Sequence, residues 1–286
     1  MTETIQRHCV LCFRCPDRPG ILAALTPVLS VNGWDIREAK IFGDPDSGVF
    51  FVRMDLTSDH SSIADLRTQI GLIATELSFD WNIHDLAQKM PVVIAVSKFN
   101  HCLVDLLHRA EIGALPIRIV GVVSNHEQER DRVEWHGVPY HYLPVDRADK
   151  SAQEARFLDV VRESGAELTI LARYMQVLSD HLAGELANRC INIHHSFLPS
   201  FKGAKPYHQA KAGGVKLIGA TAHYVTADLD EGPIIEQDVR RVTHATTAEE
   251  MVAIGREVEA SVLARAVRWH AERRILANGR QTVILA

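Results

Sequence analysis

Hydrophobic and polar positions change their period several times along this chain, and each change marks an element. Residues 8–14 (HCVLCFR) alternate, as side chains on the two faces of a strand do. A turn rich in Pro and Gly follows, Cys15-Pro16-Asp17-Arg18-Pro19-Gly20-Ile21. The period then lengthens over residues 19–32, where Ile21, Leu22, Leu25, Val28 and Leu29 recur at helical spacing. Pro19 suits the first turn of that helix, while Pro27 inside the pattern favours a kink. Residues 34–42 and 49–56 read as strands joined by a Gly-Asp-Pro-Asp-Ser-Gly turn. Residues 61–77 form a second helical stripe, and 79–85 alternate once more. The predicted order is βαββαβ, a ferredoxin-like arrangement in the α+β class.

After a short junction at 86–91 the pattern changes character. Residues 92–96, 116–123 and 167–172 are nearly unbroken apolar runs, as buried parallel strands are. Shorter or alternating strands are predicted at 138–143, 190–194, 216–226 and 234–241. Helices are predicted at 101–112, 151–163, 205–213 and 247–276, and the tail QTVILA reads as a last strand. Along 247–276 the stripe is Met251, Ile254, Val258, Val262, Ala266 and Trp269. Strands alternating with helices predict a doubly wound, Rossmann-like α/β sheet with ligands at the C-terminal strand ends. The expected domains are 1–87 and 88–286.

At 286 residues the chain is long enough for two cores. A net charge of −5 argues against a nucleic-acid partner. No apolar run approaches the length needed to cross a membrane, and the N-terminus lacks the apolar stretch of a secretory signal. The expected location is the cytoplasm. There the five cysteines, Cys9, Cys12, Cys15, Cys102 and Cys190, would be reduced thiols. The Cys9-x-x-Cys12-x-x-Cys15 run invites a metal, but a strand puts Cys9 and Cys12 on opposite faces. His208, His223 and His244 show no ligand spacing, so no metal is expected.

The candidate chemistry lies between residues 190 and 235. Asn192 and His194 share one face of a predicted strand, and Asp230 sits in a Leu-Asp-Glu-Gly-Pro turn. An amide, an imidazole and a carboxylate at strand ends can polarise a carbonyl and handle a proton. Taken singly, each also suits a structural histidine, a loop cap or an Asx turn. The first strand–helix turn of the second half, Ser97-Lys98-Phe99-Asn100-His101-Cys102, holds no glycine, which excludes a dinucleotide cofactor there. Lys98 could meet an anion or simply face solvent. Arg173 to Leu178 follow a buried strand, where loops bind ligands.

Two resemblances sharpen this reading. Residues 8–86 resemble an ACT domain through Asp17-Arg18-Pro19-Gly20-Ile21 and Asn32-Gly33. The resemblance implies a small amino-acid effector, glycine or methionine, near Asp17, Pro19, Gly20 and Ile21, and a homo-oligomer. Residues 91–285 resemble the formyltetrahydrofolate-using formyltransferase family through Asn192-Ile193-His194, Ser196, Leu198-Pro199, Gly203, Gly219-Ala220-Thr221 with His223, and Leu229-Asp230-x-Gly232-Pro233. That implies Asn192, His194 and Asp230 as the catalytic trio. It also implies a folate site built from Met175, Gln176, Val177, Leu178, His195, Val225, Thr226 and Gly232. An ACT-like half joined to this half resembles the deformylase branch of the family. These are hydrolases that split 10-formyltetrahydrofolate into formate and tetrahydrofolate, supplying formate for purine synthesis and balancing the one-carbon pool. The absent Gly-rich phosphate turn, and His195 where the transferases carry proline, agree with water as acceptor. No cofactor is expected beyond the folate substrate. The reading also expects Asp230's pKa to be raised by burial beside the folate. The rivals are transfer of the formyl group to an amine such as glycinamide ribonucleotide, and an amino-acid sensor with an inactive second half.

Overall fold

A computed structural model describes residues 6–146, 149–198 and 206–286. Pro199 and Gly203 of the formyltransferase-like motifs lie outside them. The chain divides into two compact units, residues 1–89 with 272–286, and residues 90–271. Residues 272–286, expected in the second domain, therefore belong to the first.

The first unit runs β1 (Arg7–Pro16), α1 (Ile21–Val31), β2 (Asp35–Asp44), β3 (Val49–Ser58), α2 (Ile63–Leu77) and β4 (Asp80–Asp85). Its four-stranded sheet has the order β2-β3-β1-β4, with every neighbouring pair antiparallel. One face of β1 places Cys9, Leu11, Phe13 and Cys15 against α1 and α2 through Leu25, Leu29, Leu66 and Ile70. α2 begins where Ser62 Oγ accepts the Asp65 N–H at 3.0 Å, a local cap. Pro19, expected in the first turn of α1, precedes the helix instead, and Gly20 at φ 92° makes the turn into it.

In the second unit β5 (Met90–Val96), α3 (His101–Glu111), β6 (Ile117–Ser124), α4 (Arg130–Trp135) and β7 (Tyr140–Tyr142) come first. They are followed by α5 (Lys150–Glu163), β8 (Leu168–Leu171), α6 (Asp180–Glu185) and β9 (Cys190–His194). The unit ends with α7 (Pro206–Ala212), β10 (Leu217–Tyr224), β11 (Ile234–Arg241) and α8 (Ala248–Ala271). The sheet order is β11-β10-β9-β8-β5-β6-β7. Pairs from β9 through β7 are parallel, whereas β10 runs against both β9 and β11. The sheet is the open α/β kind, and ligands in such sheets gather where parallel strands end. β5 is buried almost throughout, which explains its unbroken apolar sequence.

The long terminal helix is shorter than its periodicity predicts. α8 opens on a capping box: Thr247 Oγ1 accepts the Glu250 N–H, and Glu250 accepts the Thr247 N–H at 2.7 Å. It ends at Ala271, and Arg273 adopts a left-handed φ of 57°. A hairpin of β12 (Ile275–Asn278) and β13 (Gln281–Ile284) closes the chain. This hairpin explains the second face of β1. Cys12 Sγ donates to the Arg273 carbonyl, Arg14 donates to the Ala277 carbonyl, and buried Arg53 donates to the Glu272 carbonyl. The five cysteines are all free thiols. Among the described residues no helix is long and apolar enough to cross a membrane.

Candidate active site

Strand pairing brings the trio together. Asn192 lies opposite His223, and His194 opposite Thr221, across the antiparallel β9–β10 pair. Period two then turns Asn192 and His194 to one side at the end of the parallel sheet. Asp230 arrives from the turn after β10. His194 Nδ1 lies 3.2 Å from Asp230 Oδ2, and His223 Nε2 lies 3.7 Å from Oδ1. His223 Nδ1 is 2.9 Å from the Tyr224 carbonyl, so that nitrogen must donate. Its Nε2 then accepts from Asn192 Nδ2 at 3.2 Å. The amide of Asn192 is thereby fixed, with its second N–H left for a ligand.

The turn carrying Asp230 depends on close backbone approach. Asp230 sits at φ 57°, a conformation that Asp tolerates better than most residues. At Gly232 any Cβ would fall on the Tyr224 carbonyl, so only glycine fits. Gly232 therefore shapes the turn. It does not line the cavity, contrary to its expected place in the folate site. Thr221 serves the other side of the site: its Oγ1 donates to the Ser196 carbonyl and accepts the Leu198 N–H, holding the segment after His194. At Gly219 a side chain would strike the Asp238 carbonyl, which accounts for the small residue there.

A cavity of about 340 Å³ opens over the trio. Met175, Gln176, Val177, Leu178, His195, Val225 and Thr226, all expected at a ligand site, line it together with Asn192, His194 and Asp230. Its lip is apolar and uncovered: Met175 is 51%, Val177 57% and Leu229 58% exposed. The glycine-free turn has a structural task. Ser97 N–H donates to the Arg173 carbonyl, and Ser97 Oγ accepts the Met175 N–H at 3.0 Å, so this turn anchors the 173–178 loop. Sequence reasoning named Ser97 and Arg173 only as members of two loops and missed the hydrogen bonds that join those loops. Arg173 stands at φ 65°, and the sharp bend this makes directs the loop into the cavity. In the first unit Asp17, Pro19 and Gly20 are exposed. Ile21, expected beside an effector, is buried at 3% in the core.

The electrostatics overturn one expectation. Burial alone would raise the Asp230 carboxyl, but the hydrogen bond from His194 and the ring of His223 beside it outweigh that and hold the group well below the usual carboxylate range. Asp230 is thus an anion near neutral pH. Burial pushes His195 down to about 4, helped by the nearby charges of Arg173 and His194. His194 Nε2 is buried without a hydrogen-bond partner. With Nδ1 donating to Asp230, that nitrogen is the one left to meet a substrate.

A carboxylate paired with a histidine, a fixed amide and an apolar cavity where β9 ends are parts that can polarise a carbonyl and handle a proton. The formyl transferase family model matches residues 90–267, and this half has that family's Rossmann-like α/β fold. Formyltetrahydrofolate deformylase of Corynebacterium sp. strain P-1 is 49% identical over the full length of both chains. The crystal structure of formyltetrahydrofolate deformylase from Burkholderia mallei matches with a TM-score of 0.94 and 50% identity, covering 97% of this chain and 99% of that one. Glycinamide ribonucleotide transformylase 1 from Symbiobacterium toebii matches less widely. Its TM-score is 0.64 at 31% identity, over 69% of this chain and 94% of that one. The chain belongs to the formyltetrahydrofolate deformylase family.

Proposed function

We propose that this chain hydrolyses 10-formyltetrahydrofolate to formate and tetrahydrofolate, with Asn192, His194 and Asp230 as its catalytic residues. The carrying observation is the His194–Asp230 contact of 3.2 Å beneath an uncovered apolar lip. The folate ring would lie against Met175, Val177 and Leu178, with its formyl group over His194. Water attacks the formyl carbon, and the carbonyl oxygen becomes an oxyanion. Asn192 Nδ2–H and His194 Nε2–H donate to it, each an interaction commonly worth about 3–4 kcal/mol. Asp230, ionised, accepts a hydrogen bond from the attacking water and orients it. The proton leaving the water lodges in the Asp230–His194 pair, whose titration belongs to both groups. It passes to the folate N10 as the carbon–nitrogen bond breaks. Formate and tetrahydrofolate leave, and both residues return to their starting states. The route draws only on side chains of this chain and on water.

The first unit is, on this reading, an ACT-like domain that binds glycine or methionine and joins subunits into a homo-oligomer in the cytoplasm. The βαββαβ order and the exposed Asp17–Gly20 turn support it. The enzyme mixed with 10-formyltetrahydrofolate and no amine acceptor tests the central reading. Stoichiometric formate release agrees with hydrolysis, and release that waits for an amine contradicts it. Adding glycine and methionine to the same assay tests the effector.

A further inference from the structure

A second chemical cluster stands apart from the trio. His101 and Cys102 open α3, and Glu259 lies on α8, 158 positions from His101. The imidazole nitrogen, the sulfur and a carboxylate oxygen lie within 4.8 Å of one another. His101 Nε2 is 2.8 Å from Glu259 Oε2. Cys102 is fully buried and Glu259 is 1% exposed, whereas the His101 side chain keeps 17% exposure and leaves a way in.

A carboxylate that deep needs partners. Tyr207 O–H donates to Oε1 at 2.8 Å. Oε2 meets His101 and, at 3.4 Å, Arg173 Nε. That arginine nitrogen is buried without a hydrogen bond, and its guanidinium lies 5.5 Å from the centre of the Phe99 ring. Apart from His101 itself, no group among the described residues gives Oε2 a well-formed bond.

We propose that His101 Nε2, Cys102 Sγ and Glu259 Oε2 form a binding site for one divalent transition-metal cation of the zinc or ferrous type. One nitrogen, one sulfur and one oxygen donor are the mixed set such borderline ions take. With bonds of about 2.0–2.3 Å, a single ion reaches all three donors, which lie within 4.8 Å of one another, after small side-chain shifts. Binding displaces the thiol proton to solvent and shifts the proton on His101 from Nε2 to Nδ1, which frees Nε2 as a neutral donor, so thiolate and carboxylate together balance the two positive charges. Tyr207 holds the remaining carboxylate oxygen, as an outer partner of a metal ligand does. α8 makes room for that tyrosine at Gly255, where any Cβ would fall on its ring and hydroxyl. Arg173 gives up its distant claim on Oε2 and stays over Phe99. Three protein donors leave a fourth position for water. The site borders the catalytic cavity, since Arg173, which lines that cavity, lies 3.4 Å from Glu259 Oε2.

The test is titration of the chelator-treated full chain with cobalt(II), a spectroscopic probe for such sites. One equivalent should bind with a thiolate-to-cobalt absorption band and release of one proton. Cys102→Ala should lose the band, Cys190→Ala should keep it, and Tyr207→Phe should weaken binding roughly tenfold. Absence of stoichiometric binding, or a band unchanged in Cys102→Ala, overturns the proposal. If Cys102→Ala does not fold, His101→Gln at the rim decides. Its circular dichroism should match the parent while cobalt affinity falls at least about tenfold, and undiminished affinity overturns the site.

Discussion

Asp230 is held by two histidines in a left-handed turn, and its charge is what they hold. Removing that charge while keeping the shape isolates it. Asp230→Asn should lower formate release by about 10²–10⁴-fold, with folate binding by fluorescence titration within about threefold of the parent. Near-parental turnover contradicts the assignment. The sign of the pH dependence follows from the depressed carboxyl. Ionised Asp230 contributes stability above the ordinary carboxylate value, and that contribution is lost as pH falls through the lower folded value. His195 shifts downward for a different reason, and its window is different. Its folded value of about 4 lies below the ordinary 6.5, so the unfolded chain binds the extra proton between them. Stability should therefore fall as pH drops from about 6.5 to about 4, by up to on the order of 3 kcal/mol. Denaturant melts of His195→Gln across that range should show a flatter profile. An unchanged slope sinks the assignment.

At the scale of elements, two glycines tie helix and turn to the site. Gly255→Ala pushes α8 against Tyr207 and should cost roughly 1–3 kcal/mol in urea unfolding. A neutral result would mean that Tyr207 moves freely. The trio was legible in sequence because each member sits beside a strong local signal: period-two alternation for Asn192 and His194, and a Gly-Pro turn for Asp230. The loop at 173–178 was legible as a cavity wall because it follows an unbroken apolar strand. α4 and α6 went unpredicted because six-residue helices show too little of a period to stand out. His101, Cys102 and Glu259 were also not legible as a group, since only the packing of α3 on α8 brings distant positions together. The direction of the Asp230 shift failed for the same reason. Burial is readable from a turn among apolar residues, but its histidine partners depend on strand register.

At the scale of the molecule, the tail belongs with the first unit. Periodicity alone runs α8 on past Ala271, because Ile275 and Leu276 continue its apolar pattern. The carbonyls captured by Cys12, Arg14 and Arg53 instead hold these residues as a hairpin, and Val283 and Leu285 pack on Phe51. Leu285→Ala should destabilise the first unit by about 2–3 kcal/mol. Limited proteolysis would read this as faster cutting within residues 6–89, with residues 90–271 unchanged. Equal cutting of both units would contradict the division. The βαββαβ order and the parallel sheet were legible because their periods differ. The most direct test of the central claim is formate measured over time from purified protein and 10-formyltetrahydrofolate, with no amine present. The account predicts one formate and one tetrahydrofolate per substrate in the parent and loss of both products in Asp230→Asn. Formate that appears only with an added amine acceptor, or at an undiminished rate in Asp230→Asn, would contradict it.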